Sequence, residues 1–339
     1  MAKFGKKGVL VVNLGTPDSP NRGDVYKYLK QFLTDKRVID IPWVFRNLLV
    51  RGFIAPFRSG SSAKLYKELW TEDGSPLKFY GVKVVDELRK ILGEEYIVEL
   101  AMRYQNPSMD SAIDKLLAQN VSEIIVFPMF PHYASASTGS VLDEVMTIMR
   151  KELAIPNIRM ISSYHDNDDM INVFVKNANK FDVSSYDHIL FSFHGVPQSQ
   201  MKKTDRCDHC IKTKDCCLTL TEKNQFCYSA QCHDTAFIIA DKLGLKKEDY
   251  TICFQSRLGP DPWIQPYTIK TIEELANKGA KRLLAFSPAF VADCLETTIE
   301  ISDEYQEEFE NWGGEKIDLV PSLNDDPDWI NAIAGMIKA

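Results

Sequence analysis

The chain has 339 residues, 45% of them hydrophobic and 26% charged, with a formal net charge of -7. That length suits two domains, and the composition is that of a soluble globular protein, not a disordered or fibrous one. The acidic balance excludes nucleic acid as the main partner, because phosphate binding rests on an excess of Lys and Arg.

The basic start, Met1 to Lys7, leads straight into the apolar run Val9 to Val12. That run is too short for a signal-peptide core. No stretch nears the roughly 20 apolar residues of a spanning helix. The expectation is a cytoplasmic protein whose eight cysteines serve metal binding or reactivity, not disulfides.

In chain order, the first strand pattern is Val9 to Leu14, ending in the turn Gly15-Thr16-Pro17. The next segment, Ile41 to Arg58, is apolar and aromatic with Arg46, Arg51 and Arg58 interspersed. It reads either as a helix packed on its own domain or as a lip, about residues 41–76, that meets an apolar ligand or a membrane surface. Arg103 then precedes an amphipathic helix around Ile113 to Leu117, a tight turn, and a strand running from Ile124 into Pro128-Met129-Phe130. The stretch Ser163 to Asp169 is polar and turn-like.

The order then recurs. Ile189 to His194 is an apolar strand ending in Gly195-Val196-Pro197, and Arg257 precedes a helix around Ile272 to Ala276. A strand from Leu283 to Phe286 ends in Pro288-Ala289-Phe290, and a helix follows Pro327. A repeat this long indicates duplicated domains. Strands alternating with helices indicate parallel sheets covered on both faces. The predicted fold is therefore two similar doubly wound, Rossmann-like α/β domains, 1–165 and 166–320, with a helix in 321–339. Ligands of such sheets bind beyond the carboxyl ends of the strands. Both sets of turns should then surround one central cleft.

His194 stands at such a strand end, and its neutral imidazole can accept a proton or bind a metal. Glu296, Glu300 and Glu304 recur at i, i+4 and i+8 after the last strand pattern. On an α-helix that spacing puts three carboxylates on one face. They form either a solvated acidic face or a line that guides a divalent cation inward.

Seven stretches carry a family likeness, in order. They are Val12 to Pro17, Gly74 to Leu77, Ala101 to Tyr104, Pro131 to Gly139, His194 to Pro197, Phe254 to Trp263, and Asp293 to Thr297. Together they resemble the ferrochelatases over nearly the whole chain. The resemblance implies a two-domain chelatase fold, ferrous iron and protoporphyrin IX as substrates, and protohaem as product. His194 is then the catalytic histidine and Glu296 its acidic partner, with Glu300 and Glu304 as a possible relay for iron. Arg103, Tyr104, Phe290 and Asp293 match porphyrin-pocket residues. Ser75 falls near the propionates, and Tyr66 and Trp70 fall on the apolar lip. The pairing His194-Gly195 is the form common in the protohaem type. The alternatives are a coproporphyrin ferrochelatase, a cobalt chelatase, or a non-enzymatic haem or metal carrier. Poor solubility of the porphyrin implies weak peripheral membrane association through the lip.

Cys207, Cys210, Cys216, Cys217 and Cys227 crowd an insert at about residues 203–228. Its place resembles that of an internal insert in ferrochelatases carrying a [2Fe–2S] cluster, which needs four thiolates. Zinc is the alternative, since C-x2-C pairs ligate it. Cys207 with Cys210 forms a local chelating pair. The subtype spacing C-x5-C-C-x9-C instead selects Cys210, Cys216, Cys217 and Cys227, and that set is favoured.

Overall fold

A computed structural model describes residues 5–213, 215–259 and 261–339. Met1 to Phe4, and Pro260 of the Phe254 to Trp263 stretch, lie outside the described residues. The chain divides into two compact units. One comprises Met1–Phe130, Ser135–Ser163 and Trp329–Ala339; the other comprises Pro131–Ala134 and Tyr164–Asp328. The final helix, Pro327–Lys338, thus contributes most of its length to the first unit.

The first unit holds β1 (Lys7–Gly15), β2 (Tyr96–Tyr104), β3 (Glu123–Pro128) and β4 (Asn157–Met160) in the order β2-β1-β3-β4. The second holds β5 (His188–His194), β6 (Tyr250–Gln255), β7 (Arg282–Phe286) and β8 (Lys316–Leu319) in the order β6-β5-β7-β8. All pairings are parallel, and the two orders are the same under the sequence repeat. Val9, Leu10, Val11 and Val12 are all fully buried, as are Leu190, Phe191 and Phe193. Strands read as unbroken apolar runs because helices cover both faces of a parallel sheet.

The repeat extends to the loops. The Met102 N–H donates to the Pro107 carbonyl and the Phe254 N–H to the Pro266 carbonyl, at 2.7 and 2.8 Å. A π-helix follows the third strand in each unit, Ser135–Gly139 and Leu295–Tyr305. The polar stretch at Tyr164 to Asp169 has its own cause. The Asn167 side chain caps the helix Asp168–Ala178 by accepting from the Met170 N–H at 2.9 Å. Asp168 and Asp169 sit in its first turn, where the helix dipole favours acids.

The apolar segment is a run of helix in the first unit: Trp43–Leu49, a π turn at Val50–Ile54, then Ala55–Leu69. One face is not packed on its own unit. Trp43, Phe53 and Phe57 are 68%, 63% and 78% exposed. No described helix is long and apolar enough to cross a membrane.

His132 is an inward plug of the second unit. It is buried edge-on against Phe193 and Tyr228, with ring centroids at 5.3 and 6.0 Å. The Thr235 hydroxyl donates to the His165 carbonyl at 2.7 Å, so it accepts from His132 Nε2 at 2.9 Å. His165, 6.3 Å away ring to ring, stands 3.3 Å from Asp234. Burial, and secondly the neighbouring His165, hold His132 well below its usual range; burial also lowers His165. A histidine that stays neutral in the fold but protonates near pH 6.5 when unfolded stabilises above that pH. That contribution is lost as the pH falls below it. Thermal melting should therefore shift downward from pH 7 to pH 5, and His132→Gln should show a smaller shift than wild type over that interval.

Candidate active site

In the second unit, the end of β5 and the end of β6 are locked side by side. His194 pairs with Gln255 in register, and the Gly195 N–H donates to the Gln255 carbonyl at 2.8 Å. A Cβ on residue 195 would lie 2.9 Å from that carbonyl and 3.0 Å from the Trp263 ring. Glycine is therefore required there by close packing. The His194 ring lies 6.3 Å from Trp263 and 6.2 Å from Phe290. Its Nδ1 is 2.6 Å from the Gly195 carbonyl. A carbonyl only accepts, so Nδ1 carries a proton, and in the neutral ring the lone pair is then on Nε2. The His194 carbonyl accepts from the Tyr228 hydroxyl at 2.8 Å.

The acidic line lies on Leu295–Tyr305, which is a π-helix and not an α-helix. Its wider turn, closed by i→i+5 bonds, still brings i, i+4 and i+8 round to nearly one face, so the three glutamates differ by their surroundings. Its start is set by a reciprocal cap, with Cys294 N–H donating to Thr297 Oγ1 at 2.9 Å and that hydroxyl donating to the Cys294 carbonyl at 3.0 Å. The helix thus begins at Leu295, past Asp293. Glu296 is half-buried, and its backbone carbonyl accepts from Gln255 Nε2 at 2.7 Å. Glu300 is half-buried and fully engaged by hydrogen bonds, while Glu304 is exposed. His194 and Glu296 are therefore joined through one residue, Gln255, whose backbone holds the His194 turn and whose side chain holds the Glu296 carbonyl.

Phe290 is half-buried at the turn after β7. Asp293 faces Asn324, whose amide donates to it at 2.7 Å while the Asp293 N–H returns a bond to Asn324 Oδ1 at 2.9 Å. Arg257, the repeat's counterpart of Arg103, is exposed and lies over the Tyr267 ring at 5.2 Å.

In the first unit, Arg103 donates to Ser140 Oγ at 2.8 Å and to Asp35 at 2.9 Å, and pairs with Glu144 at 3.2 Å. The Tyr104 hydroxyl donates to the same Asp35 oxygen at 2.9 Å. Tyr104 is wholly buried; burial, and then the Asp35 charge, push its phenol far above the usual range. It backs Arg103 and presents no surface of its own. Ser75 precedes the helix Pro76–Leu92, is buried, and accepts from the Thr16 hydroxyl at 2.9 Å. Tyr66 is buried edge-on against Tyr28, and Trp70 ends the lip helix half-buried.

The cysteine insert is organised by Asp205, which accepts from the N–H groups of Cys207, His209 and Cys210 at 2.9, 2.7 and 2.7 Å. Cys207 is exposed, whereas Cys210, Cys216, Cys217 and Cys227 are half-buried. The Sγ atoms of Cys216 and Cys217 are 3.5 Å apart, and those of Cys217 and Cys227 are 3.9 Å apart. Two thiolates at about 2.3 Å from one tetrahedral metal stand about 3.8 Å apart, so each pair has a chelating spacing. A hydrogen bond from Cys227 pulls the Cys217 thiol down to about 5 and pushes Cys227 up. Yet the expected four-sulfur cage is not closed. Among the described residues no group of three or more His, Cys, Asp or Glu is placed to hold a metal ion. Three of the free thiols, Cys216, Cys217 and Cys227, form a chain of S–H···S contacts centred on Cys217. Cys227 also caps the helix Tyr228–Lys242, whose first residue holds the His194 carbonyl.

The sequence did not single out Gln255, Ser256, Tyr228, Asp35 or Asp205. Gln255 and Ser256 had a signal, a polar pair directly after an apolar strand; the others are ordinary polar residues whose partners lie far along the chain.

Two solved structures of the chelatase SirB share this architecture. The one from Bacillus subtilis subspecies spizizenii, in complex with cobalt, has a TM-score of 0.54 at 8% identity, covering 98% of this chain and 94% of that one. The one from Bacillus subtilis with Fe3+ has a TM-score of 0.52 at 11% identity, with the same coverage of 98% and 94%. The fold is thus that of the two-unit metal chelatases. The family described as Ferrochelatase matches residues 6–339. A Legionella pneumophila (strain Lens) ferrochelatase is 40% identical over 98% of this chain and 99% of its own. One from Coxiella burnetii (strain Dugway 5J108-111) is 42% identical over 98% of this chain and 93% of its own. The chain belongs to the ferrochelatase family, lyases that insert ferrous iron into a porphyrin in haem synthesis.

Proposed function

We propose that the porphyrin is protoporphyrin IX and that His194 and Glu296 carry its metallation. The pairing His194-Gly195 supports the substrate, and the joint setting of the two groups supports the reacting pair. In the neutral ring the His194 lone pair is on Nε2 because Nδ1 donates to Gly195, and Gln255 holds both the His194 turn and the Glu296 backbone. In the reaction two pyrrole N–H bonds break, two protons leave, and ferrous iron exchanges water for four ring nitrogens without a change of oxidation state. An imidazole lone pair accepts a proton, and a carboxylate attracts the dication. Phe290, Asp293, Ser75, Arg103, Tyr66 and Trp70 are the residues assigned to porphyrin binding. Tyr104 supports Arg103 through their shared Asp35.

Cys210, Cys216, Cys217 and Cys227 are assigned as ligands of a [2Fe–2S] cluster, with zinc as the alternative metal. The sulfur spacings and the exposure of Cys207 support this set. A closed cage would take the Cys210 sulfur as its fourth ligand. Such a centre would brace the insert, and through Tyr228 the strand end that carries His194; it supplies no atom to the reaction. The protein is further read as a cytoplasmic enzyme that touches the membrane surface through Trp43 to Phe57. The exposed aromatic face supports that reading, being larger than singly scattered apolar residues would make.

Three measurements test these assignments. His194→Ala should lose metal insertion by at least about 100-fold while still binding porphyrin; near-normal turnover would reject the role, and faster turnover of coproporphyrin than protoporphyrin would reassign the substrate. Anaerobically purified protein should be brown, and Ser should bleach it at Cys210, Cys216, Cys217 and Cys227 but not at Cys207; colourless protein with stoichiometric zinc would make the insert a zinc site. Weak flotation with liposomes should fall in Trp43→Asp and Phe53→Asp, and unchanged flotation would remove the membrane role.

A further inference from the structure

Glu296, Glu300 and Glu304 look alike in sequence, but their surroundings do not. The Glu300 carboxylate accepts four hydrogen bonds. Oε1 takes the Ser256 N–H at 3.0 Å and the Tyr305 hydroxyl at 2.6 Å. Oε2 takes Gln255 Nε2 at 3.0 Å and the Ser256 hydroxyl at 2.6 Å. An ionised carboxylate offers about four acceptor sites, so all are filled by donors from the end of β6 and from the helix itself. Ser256 holds a left-handed φ of 64°, a conformation a residue with a side chain rarely adopts. In that conformation its N–H and its hydroxyl both point at Glu300.

Gln255 is saturated in the same way. Its Oε1 accepts from the Ser192 hydroxyl at 2.7 Å, and its amide nitrogen donates to the Glu296 carbonyl at 2.7 Å and to Glu300. Its own carbonyl takes the Gly195 N–H. One residue thus ties the His194 turn, the Glu296 backbone and the Glu300 carboxylate together. For Glu300 to pass an iron ion it would have to release four donors, and release of Gln255 and Ser256 would free the start of the helix that bears Glu296.

We infer that Glu300 is a positioning residue and not an ion carrier: with Gln255 and Ser256 it forms a latch that fixes where Glu296 stands relative to His194. This rests on the reading of His194 and Glu296 as the reacting pair. A latch and a carrier differ in kinetics. Loss of a carrier weakens capture of the metal, while loss of a latch misplaces the group that reacts.

The test is a double-mutant cycle in the full-length enzyme, with kcat and the KM for ferrous iron measured for Gln255→Met, Glu300→Gln and both together. The latch predicts that each single change lowers kcat roughly tenfold and leaves the iron KM within about twofold, and that the double is no worse than the worse single. A several-fold rise in iron KM confined to Glu300→Gln, with multiplying effects in the double, would overturn it. If either variant fails the circular-dichroism check for folding, Tyr305→Phe takes its place, since it removes one hydroxyl from the same carboxylate. A fall of about threefold in kcat at constant iron KM would then support the latch, and a raised KM would overturn it. Glu296→Gln is measured alongside. Wild-type turnover there would reject the reacting pair and the latch together, whereas a dead Glu296→Gln with additive Gln255 and Glu300 effects would reject the latch alone.

Discussion

The parallel pairing of β5 with β6 is the constraint on which the second unit's candidate site depends. It ends at His194 and Gln255, and the Gly195 N–H closes it onto the Gln255 carbonyl. Parallel strands stop with their carboxyl ends side by side, so the side chains just past them are brought together without any loop having to reach. Gly195 permits the approach because a Cβ would collide with that carbonyl and with Trp263. The first unit uses the same device. At Gly15, with φ of 115°, a Cβ would lie 2.0 Å from the Tyr104 carbonyl.

Behind each strand end lies a polar network whose members are nearly all paired. In the first unit Asp35 gathers Arg103, Tyr104 and Ser140, the last at 2.5 Å. In the second, Ser192, Gln255 and Thr268 run from the core toward Glu300. Buried polar groups are costly unless satisfied. Paired in this way they fix one arrangement of the strand ends where a purely apolar core would allow sliding. The repeat conserves the device while changing the residues, since Arg103 is embedded in its network and Arg257 is exposed over Tyr267.

Two segments have no counterpart in the repeat. The helix of Trp43 to Leu69 turns aromatic side chains outward, and the cysteine insert is ordered by one carboxylate, Asp205, and by sulfur pairs. Neither is needed to build a sheet. The insert nevertheless runs directly into the helix whose Tyr228 holds the His194 carbonyl, so its order reaches the site wall through one hydrogen bond.

Much of the protein was legible from the chain because it follows from local pattern. Apolar runs such as Val9 to Val12 mark strands covered on both faces, and their recurrence near Ile189 marks the duplication; His194 stood out because a polar residue ended an apolar strand. Five clustered thiols were visible as a count, but which sulfurs approach one another depends on how Asp205 folds the insert. Likewise the i, i+4, i+8 glutamates were visible, but their roles were not. A spacing rule does not see the donors around a carboxylate: Tyr305 reaches Glu300 from within the π-helix, but Gln255 and Ser256 reach it from 45 and 44 positions away. The sequence by itself determined the two parallel sheets, the family and the strand ends, because these rest on side-chain type and short-range period. Only the tertiary structure decided how differently the several identical carboxylates are surrounded, because that depends on which donors the packed strands bring to each one.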